Sequence, residues 1–243
     1  WYYSQNISDV WGVPPATHYR GFDIAFETAT GDALVISGVE NTSVDCDLKI
    51  NILPYNDVQF NRNNGNEICF NDNNDTTNTP VYAWITADNN KTAGSEEIIF
   101  AAMNNSASGA NGKAWAWNGT DVINETKLVT ETLAASNAGK EAIAVAYAGD
   151  GDLAMVIAGA GADGGINYTT WDGVAWAAVA GYDIDPTAAE VSDALWVRLK
   201  ADPATDDMQA MHIDSGDDIG TAYWDGSTWT VKRNLDEAES FEA

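Results

Sequence analysis

ALWVRLKADPATDDMQAMHIDSGDDIGTAYWDGSTWTVK, Ala194 to Lys232, decides how the rest of the chain is read. Leu195, Val197 and Leu199 alternate with Trp196, Arg198 and Lys200, DPATDD turns the chain, QAMHI runs extended, and DSGDD turns it again. TAYW and TWTV follow with Asp225-Gly226-Ser227 between them. Period-two alternation broken by Asp, Gly and Pro means strands and turns. Asp-Gly between aromatic-rich runs marks a tight hairpin, where Gly takes positive φ freely and Asp tolerates it. The unit is a four-stranded antiparallel meander.

The unit recurs upstream with a period of roughly fifty residues. AIAVAYAGDGDLAMVIAG and INYTTWDGVAWAAVA, between Glu141 and Ala180, repeat its order, and Trp171-Asp172-Gly173 with Trp176 matches Trp224-Asp225-Gly226 with Trp229. A third copy runs from Val81 to about Val129, where Trp117-Asn118-Gly119 holds the motif and Val122 replaces the second Trp. A fourth keeps its first half as GFDIAFETATGDALVISG (Gly21 to Gly38) and is rewritten from Val39 to Pro80, with Asn64-Gly65 and Ile68 as the remnant of its hairpin. The reading is one all-β domain over 1–243, propeller-like, with about four blades at 21–80, 81–137, 140–190 and 194–240. Residues 1–20 read as the tail of a preceding or shared repeat, and Ser240 to Ala243 as the start of another FDIAFE. An open stacked β array is the alternative.

These modules resemble those of large tandem-repeat surface and secreted proteins of environmental bacteria and archaea, in which a "FDIAYE, turn, SGDALVVY" module alternates with one ending in W-D-G-x-x-W. Gly21 to Gly38 and, more loosely, Glu141 to Trp176 look like the first type; Val81 to Val122 and Ala194 to Trp229 look like the second. The resemblance implies architecture and an extracellular location. It brings no catalytic residues with it.

Ten Trp, nine Tyr and six Phe in 243 residues are enough to fill a large core, and no apolar run is long enough to span a bilayer. The chain opens on Trp1, as a processed or trimmed product would. Asp and Glu total 37 against 11 Lys and Arg, a formal net charge of −26. Nucleic acid is excluded, because phosphate recognition needs a basic stripe and Arg20, Arg62, Arg198 and Arg233 are scattered. Anionic membrane surfaces are disfavoured for the same reason.

Cys46 and Cys69 stand in the Asn-rich rewritten stretch with no further ligand set, so they read as a disulfide rather than a zinc site. Closing that loop removes on the order of 3 kcal/mol of unfolded-state freedom. Asn-x-Ser/Thr occurs at Asn6, Asn41, Asn74, Asn90, Asn104, Asn118, Asn124 and Asn167, a set pointing to an exported glycoprotein. No cofactor is expected. Calcium is the one metal with candidate oxygen-rich loops, at Asn71 to Asp75 and Asp214 to Asp218, neither with full EF-hand spacing.

The paired tryptophans carry two readings. Packing between neighbouring blades is the first. The alternative is a sugar platform, which makes Trp171, Asp172, Trp224 and Asp225 glycan-binding residues. Catalysis finds no set: His18 and His212 are the only histidines, His212 reads as a satisfied sheet residue, and the acidic pairs fall in turns. The leading expectation is therefore a non-enzymatic structural or adhesive surface protein, assembling with itself head to tail into a filament. A propeller lectin for cell-surface glycans comes second and a propeller glycoside hydrolase last.

Overall fold

A computed structural model describes residues 21–38, 48–55, 67–70, 82–104, 112–127, 141–151, 153–160, 165–182, 194–215 and 219–236. The expectations that fall on 1–20, on Asn64-Gly65 and on 240–243 lie outside the described residues. Among the described residues the fold is all-β, in four antiparallel sheets of four strands, each a meander in chain order. The first sheet holds β1 (Phe22–Phe26), β2 (Ala33–Gly38), β3 (Leu48–Leu53) and β4 (Glu67–Phe70). The second holds β5 (Tyr82–Asn89), β6 (Glu97–Asn104), β7 (Gly112–Asn118) and β8 (Val122–Lys127). The third has β9 (Ile143–Tyr147), β10 (Ala154–Ala160), β11 (Gly165–Trp171) and β12 (Ala180–Tyr182). The fourth has β13 (Ala194–Ala201), β14 (Asp207–Asp214), β15 (Ile219–Asp225) and β16 (Trp229–Asp236).

The first strands β1, β5, β9 and β13 neighbour one another in turn, and β2, β6 and β10 each touch the first strand of the following sheet. The sheets therefore radiate from a shared inner edge, which makes the arrangement propeller-like rather than a stack. Inner edges are tied in series. The Ala87 amide of β5 donates to Asp23 Oδ2 at 2.9 Å, and the Tyr147 amide of β9 to Asp88 Oδ2 at 3.0 Å. Glu141 binds β13 twice, its carbonyl accepting from the Val197 amide at 3.1 Å and its Oε1 from Arg198 Nη1 at 2.7 Å.

The turns after the first strands dock in a row as well. The Ala29 amide donates to Ser95 O at 2.9 Å and Thr28 Oγ1 to Thr92 O at 2.7 Å. Thr92 Oγ1 in turn donates to Asp150 O at 3.1 Å, and the Gly149 amide to Thr205 O at 3.0 Å. Gly149 is required by closeness: a Cβ there would lie 2.2 Å from the Pro203 carbonyl carbon.

Three layers of side chains fill the spaces between sheets. Leu34, Ile36, Leu48 and Ile50 of the first sheet meet Ile98, Phe100, Trp115 and Trp117 of the second. The next layer joins Ile99, Ala101 and Met103 to Val145, Tyr147, Val156 and Trp171, and the third joins Met155 and Ile157 to Val197, Leu199, Met208 and Trp224. A strand covered on both faces has no solvent side to mark, which is why IAVAY (β9) and AMVIAGA (β10) read as apolar runs. β14 is covered on one face and alternates, with Met208 and Ala210 buried and Gln209 and Met211 exposed.

Candidate functional site

Three hairpins carry the recurring motif, and all three have the same construction. Trp117 pairs with Val122, Trp171 with Trp176 and Trp224 with Trp229, so four residues separate each pair. In each loop the first residue's side chain accepts from the two amides that follow. Asn118 Oδ1 takes Thr120 N and Asp121 N, Asp172 Oδ1 takes Val174 N and Ala175 N, and Asp225 Oδ1 takes Ser227 N and Thr228 N, all within 3.0 Å. Positive φ falls on the glycine alone, at 95°, 86° and 86° for Gly119, Gly173 and Gly226. The expected tight Asp-Gly hairpin is thus a four-residue loop closed by an Asx cap, and Asp contributes an acceptor rather than a left-handed backbone. The Thr228 amide and Ser227 hold the Asp225 carboxyl down to about 2, and the Ala175 and Val174 amides lower Asp172 in the same way.

Each motif pair faces the preceding blade, and what it meets there differs. At the first layer the Trp117 Nε1 donates to Glu27 Oε1 at 2.8 Å, and the neighbouring Trp115 Nε1 donates to Glu125 Oε2 at 3.1 Å. At the second, Trp176 Nε1 donates to the Asn124 carbonyl at 2.6 Å while Asn124 Nδ2 donates back to Val174 O at 3.0 Å. A β-bulge makes this clamp: two β8 residues, Asn124 and Glu125, stand opposite Trp115, and Asn124 takes φ 48°, a conformation Asn tolerates.

The third layer lacks such partners. Trp224 and Trp229 of the fourth blade meet Tyr168 and Tyr182 of the third in one cluster. Tyr182 stacks on Trp229 with ring centres 4.6 Å apart, Tyr168 stands edge-on to Trp224 at 5.7 Å and to Trp229 at 5.8 Å, and the two indoles lie 5.5 Å apart. Trp224 Nε1, Trp229 Nε1 and Tyr182 Oη are buried and have no hydrogen-bond partner among the described residues. Burial also pushes the Tyr182 phenol up, so it stays a donor. Three donors in one aromatic cluster are left without acceptors, each costing about 1–3 kcal/mol against a satisfied state. The outer edge of the cluster is open, because Val179, Ala180 and Gly181 leading into Tyr182 are exposed.

The expected glycan residues are placed otherwise. Trp171 is fully buried and Trp224 is 6% exposed, so neither ring is an open platform, and the exposed carboxylates of Asp172 and Asp225 each use Oδ1 to cap their own loops. Tyr168, Tyr182 and Trp229, which sequence reasoning passed over as sugar contacts, are the residues gathered around Trp224. The third blade's outer strand also departs from expectation: Trp176 makes an isolated bridge, the Ala177 amide still donates to Thr170 O at 2.8 Å, Ala178 and Val179 leave the ladder, and pairing resumes at Ala180 opposite Tyr168. His212 is buried beside Asp214 but its Nδ1 has no partner among the described residues, so it is not the satisfied sheet residue expected.

Of the sequons, Asn118 and Asn124 use their amides as above, Asn90 Oδ1 accepts from the Thr92 amide, Asn104 lies in β6 and Asn167 in β11. Asn6, Asn41 and Asn74 lie outside the described residues, as do the Asn71 to Asp75 loop and part of Asp214 to Asp218. Among the described residues no group of acidic, His or Cys side chains is arranged to hold a metal. Cys69, on β4, is disulfide-bonded, and Cys46 lies outside the described residues. No helix among the described residues is long and apolar enough to cross a membrane.

No protein-family model and no curated protein matches the chain. Solved structures do. A fungal lectin of Aleuria aurantia, described as a six-bladed β-propeller with a fucose recognition mode, aligns at TM-score 0.48 and 14% identity over 88% of this chain and 62% of its own. AofleA from Arthrobotrys oligospora aligns at 0.49 and 9% over 92% of this chain and 59% of its own. A fucose lectin from Kordia zhangzhouensis aligns at 0.36 and 16%, over 61% of this chain and 96% of its own. The chain spans about three fifths of the length of the first two.

Proposed function

We propose that the protein is a non-enzymatic, extracellular glycan-binding propeller module whose binding position is the cluster of Tyr168, Tyr182, Trp224 and Trp229 between the third and fourth blades. The observation that carries this reading is the set of orphaned donors, Trp224 Nε1, Trp229 Nε1 and Tyr182 Oη. A sugar supplies what they lack: hydroxyl oxygens to accept from them, and an apolar C–H face to lie against the half-buried rings of Trp229 and Tyr182. Glu27 and the Asn124 carbonyl each take one motif indole in the first two layers, and Trp171 Nε1 in the second is also without a partner among the described residues; what sets the third layer apart is that neither of its motif indoles has an acceptor and that Tyr182 Oη joins them.

Glycan-array screening of the native chain, followed by fluorescence titration of Tyr182→Phe and Trp229→Phe, tests it. Each variant deletes one orphaned donor, so binding should weaken about tenfold, equivalent to ~1.4 kcal/mol, while the melting temperature of the free protein holds or rises. An array without saturable binding, or variants that bind as the native chain does, would sink the proposal.

A second reading, the self-assembling scaffold, retains one supporting observation. Phe22, Ile24 and Phe26 form a stripe on β1 that is 52%, 46% and 55% exposed, on the face that the later first strands bury against a preceding blade. Sedimentation of the native chain against Phe26→Ser tests it: a concentration-dependent oligomer lost in the variant is expected, and a monomer throughout rejects it.

A further inference from the structure

The inner strands enclose a second site, independent of the aromatic cluster. A cavity of about 300 Å³ lies among β1, β5, β9 and β13, at the low end of the volumes that hold small ligands. Asp23, Thr86 and Asp88 line it from β1 and β5, Arg198 and Lys200 line it from β13, and Ile143 to Val145 of β9 form the apolar floor between. Opposite charges are thus sorted to opposite sides.

Three of the charged groups are fixed before any ligand arrives, and the fourth, Lys200, is exposed. Asp23 accepts from the Ile24 and Ala87 amides, and Asp88 accepts from the Asn89 and Tyr147 amides and from Lys91. Glu141, with only 6% of its side chain exposed, aims the Arg198 guanidinium at 2.7 Å. Each carboxylate oxygen keeps a lone pair, and the Arg198 fork keeps donors beyond Nη1. Two further groups on the lining are unused: among the described residues neither the Lys200 ammonium nor the hydroxyl of Thr86, a residue only 8% exposed, has a hydrogen-bond partner.

We infer that this axial cavity binds a small zwitterion of the α-amino-acid type. Its ammonium lies towards Asp23 and Asp88, its carboxylate towards Arg198 and Lys200, and Thr86 donates to a polar atom between them. A simple anion or cation would gain on one side and be repelled on the other, so the site selects for both charges in one molecule.

The test is calorimetric titration of the full chain with L-glutamine, beside succinate, putrescine and inositol, together with methyl and indole NMR. Saturable glutamine binding is expected, with shifts at the Ile143 and Val145 methyls and none at the Trp224 and Trp229 indole N–H groups, and at least tenfold loss in Lys200→Gln and Thr86→Val. Both variants must retain the native indole spectrum, which checks folding. Absence of glutamine binding, equal binding of succinate or putrescine, or an unaltered affinity in Lys200→Gln would overturn it. None of these outcomes bears on glycan binding at the aromatic cluster.

Discussion

The Trp117 indole donates its only N–H to Glu27 Oε1 across the first blade interface, 2.8 Å away and shut off from water. Thr30 Oγ1 holds the other carboxylate oxygen at 2.6 Å, so one side chain serves a turn and a core at once. Glu27→Ala strands the indole donor and should cost about 1–3 kcal/mol in urea denaturation. Glu27→Gln, which keeps an acceptor, should cost less than half of that. Equal losses in the two variants would mean that packing, not the hydrogen bond, is what Glu27 supplies.

The hairpin caps contain their own control, since Asn118 does in the second blade what Asp225 does in the fourth. Asp225→Asn should melt close to the native temperature, whereas Asp225→Ala, leaving two loop amides uncapped, should melt clearly lower. The Asp225 carboxyl is held at about 2 in the folded chain, below its ordinary value of 3.8. Its stabilisation is therefore complete above 3.8 and is lost as pH falls towards 2. A carboxyl carbon titration by NMR with a midpoint near 3.8 would refute the cap.

His212 works in another pH window. Desolvation lowers it from 6.5, a shift that the Asp214 charge opposes only in part. Below pH 6.5 the unfolded chain takes up a proton that the folded chain refuses, so stability falls as pH drops from 7 towards 5. His212→Asn should flatten that slope relative to the native chain in paired urea titrations between pH 5 and 7. An unchanged slope would show that the ring is not what titrates.

Gly149 leaves no room for a methyl group against the Pro203 backbone. Gly149→Ala should push the third and fourth blades apart at that rim and destabilise by about 1–3 kcal/mol. Hydrogen exchange at the Gly149 and Asp202 amides should rise with it, and native protection at both would argue against docking there.

Alternation and Trp spacing were enough to read four-stranded antiparallel meanders in a propeller-like all-β fold, and the pairing of Trp117 with Val122 could be read from one alignment of hairpins. The face each indole takes could not. Trp171 and Trp176 differ by five positions, and which of them is buried depends on the loop being four residues long, a detail that an Asp-Gly pair leaves open. Tyr182 does not stand out in the sequence because β12 is three residues long and shows no period, its ladder being interrupted at Ala178 and Val179. Likewise the clamp at Asn124 follows from a bulge, and no residue in VINETK announces one. An indole without an acceptor is a fact about a neighbouring blade, so a linear reading has no access to it.

The row of docked turns is unevenly fastened. Among the described residues, Thr28 and Ala29 meet the second blade through four hydrogen bonds, three with Ser95 and one with Thr92, while Thr92 reaches the third through one and Gly149 the fourth through one. Under tension applied to its ends in an optical trap, the molecule should behave less like a ring that bursts than like a zip with one stiff tooth, shedding its late sheets at low force and surrendering the first pair last.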